Sequence, residues 1–293
     1  TIGSKNDYNT WRQLGNYGWG WEDVKYYFKR SEKLSETKNI NENNIGYLPI
    51  NQPTFSHPIT DAFIKSGIEL NHKFCEDFNN GQPEGFGYYK STWEKGKRKS
   101  TSKSFLNPVN KRKNLTIITN SHVKKILFSN KLCIGVETIK AGKKYKYITN
   151  KEVILSAGTV NSPTLLMQSG IGPSDELRKI GINSIHSLRG VGKNLQDHLL
   201  VRVQIGSDYF DTLHNNLRWD KITLNILRAY FFNKGLGSIF PLTAGAYLKS
   251  RPEIDFPDLQ SHFLPGLSTG NIRFPWSKKT NLSQNGFFAN IYQ

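Results

Sequence analysis

Seven histidines, at positions 57, 72, 122, 186, 198, 214 and 262, are the side chains here that exchange protons near neutral pH. His198 is the best placed of them for a nucleophile or proton-relay cluster, because Asp197 adjoins it and Asn194 lies close by. Adjacent residues on a strand or turn point in different directions, however, and Asn194 and Asp197 suit a loop whose backbone donors they tie. Ser100, Ser156 and Ser169 have no G-x-S-x-G elbow around them, which argues against hydrolase chemistry. Cys75 and Cys133 are open to pairing, to life as buried thiols or to unrelated roles, and with no C-x-x-C or His-rich spacing no metal is expected. A G-x-G-x-x-G turn, the usual cradle for a dinucleotide diphosphate, is also missing. Gly81, Gly85 and Gly87 are not followed by a helix, and Gly190 with Gly192 lacks the third glycine. No catalytic residue is assigned from sequence.

The elements that would position any such chemistry centre on Val153 to His198. Val153, Ile154 and Leu155 form a β-branched apolar run, expected as a strand buried on both faces, which stops at Ala157 and Gly158. Small residues there let another backbone or a flat ligand come close. Ser162 is expected to cap a short helix with Pro163 at its first position, ending through Ser169 at Gly170. A second helix follows from Ser174, with Asp175 and Glu176 in its first turn, and stops at Gly181.

At these residues the chain resembles the glucose-methanol-choline (GMC) oxidoreductases, flavoproteins that oxidise alcohols and sugars. GTVNSPTLLMQSGIG, from Gly158 to Gly172, satisfies the family's second signature at every defined position, with Gly158, Ser162, Pro163, Ser169, Gly170 and Gly172 as its marked residues. GVGKNLQDH, ending at His198, looks like the segment that follows. DYNTWRQLGNYGWGWEDVKYYFKRSE looks like the lid-side helix, with the nearest likeness in the insect glucose dehydrogenase-like branch.

The resemblance implies FAD as cofactor, a small alcohol or sugar as substrate, and oxidation of a CH–OH group to a carbonyl by hydride transfer to flavin N5, with oxygen or a quinone taking the electrons. It implies that Val123 holds the adenine through its main chain, although a plain core valine accounts for that position equally well. Ala157 and Gly158 are expected beside the cofactor. In the family the diphosphate turn lies upstream of the sequence matching Thr1, and the catalytic histidine lies in a loop beyond the sequence matching Gln293. The chain is therefore expected to be an internal fragment that neither holds FAD tightly nor turns over. A non-catalytic binding protein derived from the family is the alternative. The insect likeness leans towards secretion, and Asn114-Leu115-Thr116 and Asn281-Leu282-Ser283 would then be glycosylation acceptors.

Composition adds little to this. The 293 residues carry 40 basic against 23 acidic side chains, a formal charge of +17, with 37% hydrophobic and 12% aromatic residues. Lys95, Lys97, Arg98, Lys99 and Lys103, followed by Lys111, Arg112 and Lys113, are the nearest thing to a nucleic-acid or anionic-surface patch. The preferred reading is solvated charge spread along a Lys- and Asn-rich chain, with no nucleic-acid partner. No apolar run approaches the roughly 20 residues of a membrane span.

Along the chain, 1–16 reads as an irregular lead-in with Tyr8 and Trp11 as packing points, and Trp21, Val24 and Phe28 mark a helix. Residues 35–44 read as a polar loop and 46–53 as an extended piece. Pro58 to Ser66 reads as a helix stopped by Gly67, and Ser102 caps a short helix ending before Pro108. Five short strands, LTIIT, VKKILFS, CIGVETI, KYKYIT and EVILS, are expected between 115 and 156, turning at Ser129-Asn130 and Ala141-Gly142. Strands at 200–205, 243–248 and 258–263 flank a helix at 220–233, and the end is expected to be loop-like. The expected fold is α/β: a FAD/NAD(P)-binding-type parallel sheet lacking its first βαβ unit, beside an antiparallel substrate-domain sheet. The division expected is 1–113 (lid and substrate side), 114–199 (FAD-binding portion) and 200–293 (substrate-binding portion).

Overall fold

The computed structural model describes residues 2–34, 46–53, 56–207, 212–233, 243–266, 274, 276 and 286–293. The polar loop expected at 35–44 lies outside them. Contacts divide the chain into two compact units, Arg112–Asp197 and a discontinuous unit made of Thr1–Lys111 with His198–Gln293.

The discontinuous unit opens with α1 (Lys5–Gln13) where an irregular lead-in was expected. Ser4 caps it by accepting from the Asn6 N–H, and the Asp7 carboxylate reaches back to the Ser4 N–H at 3.3 Å. This reciprocal cap nucleates a helix whose apolar content is too low for a periodicity argument to find. Tyr8 holds α1 to α2 (Trp21–Ser31) through ring contacts to Trp21 and Phe28, both at 5.9 Å. The short strands β1 (Glu32–Leu34) and β2 (Leu48–Ile50) pair in parallel. His57 then caps α3 (Pro58–Glu69). Gly67 lies inside α3 and does not stop it: a Cβ there would sit 2.4 Å from the Phe86 ring, so glycine serves close packing. β3 (Gly85–Tyr88) follows, then a tight hairpin of β4 (Trp93–Glu94) and β5 (Lys97–Arg98). Its two loop residues, Lys95 (φ 50°) and Gly96 (φ 68°), take the left-handed conformation that such a turn needs. Residues Ser102–Leu106 form a single π turn that runs on into a 3₁₀ turn at Asn107–Val109. Pro108 continues the coil instead of ending it, because it falls in the first turn of the new segment, where its missing N–H is harmless.

The Arg112–Asp197 unit is a three-stranded antiparallel meander, β6 (His122–Ser129), β7 (Leu132–Lys140) and β8 (Lys143–Ile148), turning at Asn130 (φ 53°) and at Ala141-Gly142 (φ 49° and 76°). The other two expected strands do not form. At 115–119 and 152–156 no ladder exists among the described residues, and Ile117, Ile118 and Ile154 stand exposed. Then come α4 (Gly158–Gln168), β9 (Ile171–Gly172), α5 (Ser174–Lys179) and β10 (His186–Ser187), with β9 and β10 parallel.

Back in the discontinuous unit, β11 (Leu200–Gly206) is followed by α6 (Trp219–Phe232), which ends at left-handed Asn233, and then by β12 (Ala244–Leu248), β13 (Leu259–Leu264) and β14 (Gly286–Tyr292). The terminal tract is thus a strand and no loop: β14 lies between β11 and β13 in a five-stranded sheet of order β11-β14-β13-β12-β3. One face of this sheet carries Phe86, Ala244, Ala246 and Phe263, and α3 covers it with Ile64 and with Phe63, which stacks on Phe263 at 4.3 Å. The architecture is mixed α/β, with short parallel pairs beside larger antiparallel sheets.

Candidate functional site

Each unit carries one candidate region. In the first, the approach to Ala157 differs from expectation. Val153 to Leu155 is extended but unpaired among the described residues. Val153 and Leu155 are half-buried and Ile154 is 80% exposed, since no described strand lies beside them. The helix also starts a turn early: Ala157 is its N-cap, and Pro163 sits inside it. Ser162 therefore does not cap in the expected sense, but its Oγ accepts from the Ala157 N–H at 3.1 Å and so closes the turn from within. Pro163 leaves the Thr159 carbonyl without its intrahelical donor.

Gly158 has φ +86°, a conformation that costs a residue with a Cβ about 1–2 kcal/mol. Nothing lies within 4 Å of where that Cβ would be. Gly158, Thr159 and Val160 are all exposed, and their N–H groups are among those a helix start leaves without intrahelical partners. The start of α4 is thus a bare, weakly positive platform.

The other end of α4 is held tightly. The Ser169 hydroxyl, 1% exposed, accepts from the Ile126 N–H of β6 at 2.8 Å and donates to the Leu165 carbonyl at 2.6 Å. Gly170 (φ +88°) ends the helix, and a Cβ there would come within 2.7 Å of the Asn183 carbonyl oxygen. The Gly172 carbonyl accepts from the Leu188 N–H at 3.0 Å. Val123 is half-buried on β6, an edge strand, beside a β-bulge before Lys125.

The second region is the face of the five-stranded sheet that α3 does not cover. Register places Tyr247, Gln260, His262, Asn290, Tyr292 and Arg202 there together. Tyr89 lies across it and donates to the Ser261 carbonyl at 2.8 Å, over Gly245, whose Cβ would meet the phenol oxygen at 2.3 Å. Rings run edge to face from Tyr89 to His262 (5.3 Å), on to Tyr292 (4.9 Å) and to His198 (5.6 Å). Gln260 reaches both the Tyr89 hydroxyl and His262 Nε2, the latter at 2.9 Å. Burial, with smaller help from positive neighbours including His198, holds His262 below the ordinary histidine range, and burial pushes the Tyr89 phenol above its own. Near neutral pH the face therefore presents an uncharged imidazole and a protonated phenol whose proton goes to the Ser261 carbonyl.

His198 joins this cluster through its ring contact with Tyr292. His57 caps α3, His72 packs on Phe86, and His122 and His186 are exposed. Cys75 and Cys133 are free thiols, and no group of three metal-ligating side chains occurs among the described residues.

Residues 1–200 match the sequence family described as GMC oxidoreductase. The chain belongs to that family. Mouse mitochondrial choline dehydrogenase is 39% identical over 276 residues, which is 93% of this chain and 46% of the mouse protein. An alcohol dehydrogenase [acceptor] of Pseudomonas putida is 36% identical over 270 residues, covering 90% of this chain and 48% of that protein. The chain thus spans about half the length of the curated relatives it matches. Among solved structures, formate oxidase superposes with TM-score 0.85 at 23% identity over 100% of this chain and 56% of that one. Pyridoxine 4-oxidase gives 0.77 at 23%, covering 99% and 53%. These two likenesses concern the fold.

FAD is the cofactor of GMC oxidoreductases, and the residues present fit one: Gly158 offers open space with free helix-start donors, and Val123 lies on an edge strand with backbone to spare. The face around His262 was missed in the sequence. Alternation in LQSHF would have grouped Gln260 with His262, but no local signal brings Tyr89 or Tyr292 beside them.

Proposed function

We propose that the whole protein is an FAD-dependent enzyme that oxidises the CH–OH group of a small alcohol or sugar to a carbonyl, with oxygen, a quinone or a similar acceptor taking the electrons. When bound, the flavin supplies the hydride acceptor. The residues of this chain bind and orient it: the exposed turn at Ala157 and Gly158 accepts the cofactor's close approach, and the Val123 main chain receives its adenine. The observation that carries the reading is the bare start of α4, unoccluded at Gly158 and anchored at Ser169, within the segment that matches the family.

Choline and alcohol dehydrogenases among the relatives make alcohols the first substrates to try, and the insect glucose dehydrogenase-like lead-in keeps sugars beside them. The polar sheet face around the uncharged His262 imidazole suits a hydroxyl compound. Secretion is part of the proposal, and Asn114, exposed in a turn, is available as an acceptor, whereas Asn281 lies outside the described residues.

The test uses the whole protein. Anaerobic addition of choline, primary and aryl alcohols and glucose in turn should bleach the flavin's visible absorbance with at least one of them, and Gly158→Val should purify with less flavin while its circular dichroism is unchanged. A flavin-free wild-type protein would overturn the proposal in favour of a non-catalytic binding protein, and so would a flavin indifferent to every hydroxyl compound.

A further inference from the structure

The polar sheet face carries its formal charge at one end. Arg202 of β11, Asn290 of β14 and His262 of β13 occupy one cross-strand row, which continues through Gly245 of β12 to Gly87 of β3. At the glycine end the face is roofed. Phe78, 3% exposed, packs on the rings of Tyr89 at 5.0 Å and Tyr247 at 5.1 Å, and a Cβ on Gly87 would come within 3.3 Å of it. At the other end the row runs out to Arg202, which is exposed.

Arg202 is nevertheless held in place. Its Nε–H donates to Asn290 Oδ1 at 2.8 Å, and its guanidinium carbon stands 4.6 Å from the centroid of the Phe288 ring. Asn290 is itself buried, and its amide donates to the Tyr292 hydroxyl at 3.3 Å. Both anchors belong to β14, so the guanidinium lies over that strand and about one strand spacing, roughly 5 Å, from the strand that bears His262. No carboxylate among the described residues forms an ion pair with it. Its terminal N–H groups therefore remain as a rigid fork, the geometry that matches a carboxylate. Beside it, Gln260 engages Nε2 of His262, and Nδ1 has no partner among the described residues.

We propose that Arg202 sets the substrate class of this face: it binds the carboxylate of a small hydroxy acid whose hydroxyl lies at His262, and it repels a cationic alcohol such as choline. The proposal rests on the reading of the whole protein as an FAD-dependent oxidoreductase of hydroxyl compounds. Likeness in sequence to choline dehydrogenases then does not extend to choline as substrate.

Glycolate, ethylene glycol and choline present the same CH₂OH beside a negative, a neutral and a positive group. Anaerobic reduction of the flavin in the whole protein should show kcat/KM falling in that order. Arg202→Gln should raise the ratio of KM for glycolate to KM for ethylene glycol about tenfold, the loss expected for a charge-assisted hydrogen bond. Arg202→Lys, which keeps the charge without the fork, should recover part of it. Arg202→Glu should move the preference towards choline, while Lys146→Ala on exposed β8 should leave every ratio at the wild-type value. Acetate, which has no hydroxyl to oxidise, separates this proposal from the flavoenzyme reading. By isothermal titration at constant ionic strength it should bind the wild type saturably and Arg202→Gln about tenfold more weakly. A flavin that no hydroxyl compound reduces, with this acetate difference intact, overturns the flavoenzyme reading and upholds Arg202 as the anion-binding group. The role of Arg202 is overturned by wild-type preference for choline over glycolate, by KM ratios unmoved in Arg202→Gln, or by acetate binding that the substitution does not weaken.

Discussion

The two candidate regions are built in opposite ways. On the five-stranded sheet, the polar face around His262 is backed by the core of Phe263, Phe86, Ala244 and Ala246, so Gln260, His262, Asn290 and Tyr292 stand on strands held from behind. At Ala157 and Gly158 the working end projects into open space, and only the far end of α4 is fixed, through one buried hydroxyl. A face that must keep several side chains at set distances needs a rigid backing. A turn that offers backbone to a flat ligand needs only clearance and one anchor.

This contrast can be broken at the backing, at the anchor and at the imidazole. Removing the backing should do the most. Phe263→Ala empties the stack on Phe63 and should cost about 4 kcal/mol, read from chemical denaturation, with the near-ultraviolet signal of Tyr89 and Tyr292 lost. If that signal survives, the polar face does not depend on the core behind it.

Removing the anchor should cost less and act locally. Ser169→Ala takes the acceptor from the buried Ile126 N–H, while the Leu165 carbonyl keeps the Ser169 N–H, a loss of about 2 kcal/mol. Hydrogen exchange should speed at Ile126 while the amides of β12 and β13 stay protected. Uniform acceleration across both units would show that α4 is held by something other than this hydroxyl.

The smallest effect comes from pH. Because His262 binds its proton less readily folded than unfolded, its contribution is complete above the unfolded value of about 6.5 and is lost as pH falls below it, the unfolded chain then binding more protons. The thermal midpoint of the wild type should therefore fall between about pH 7 and pH 5 more steeply than that of His262→Gln. Equal slopes would mean that the imidazole is no more buried than an exposed one.

Local chemistry made much of this legible. Asn130 and Ala141-Gly142 announced the meander's turns, Gly170 and Gly181 the helix ends, and Trp21, Val24 and Phe28 the face of α2. Where propensity and partnership diverged, the reading failed. Val153 to Leu155 has every attribute of a buried strand except a described neighbour to pair with. Gly67 looks like a stop because glycine's room for Phe86 is invisible until β3 is in place. Pro163 looks like a first helical residue because nothing local reveals that Gly158 has already turned the chain. The seven residues of β14 gave no warning because their partners are β11 and β13, distant in sequence. The same distance hid the ring contacts of Tyr89 and Tyr292 with His262.

The place of β3 in the sheet has a consequence for how the chain is made. Its partner β12 is synthesised about 160 residues later, a long loop to close before any pairing is rewarded. The 112–197 unit is finished in the interval, with all its own strands adjacent in sequence. On a ribosome the meander matures first, while Gly85–Tyr88, bonded on one side to 73–75, waits with its other edge open. It is in that interval that the nascent protein is most exposed to pairing with another copy of itself.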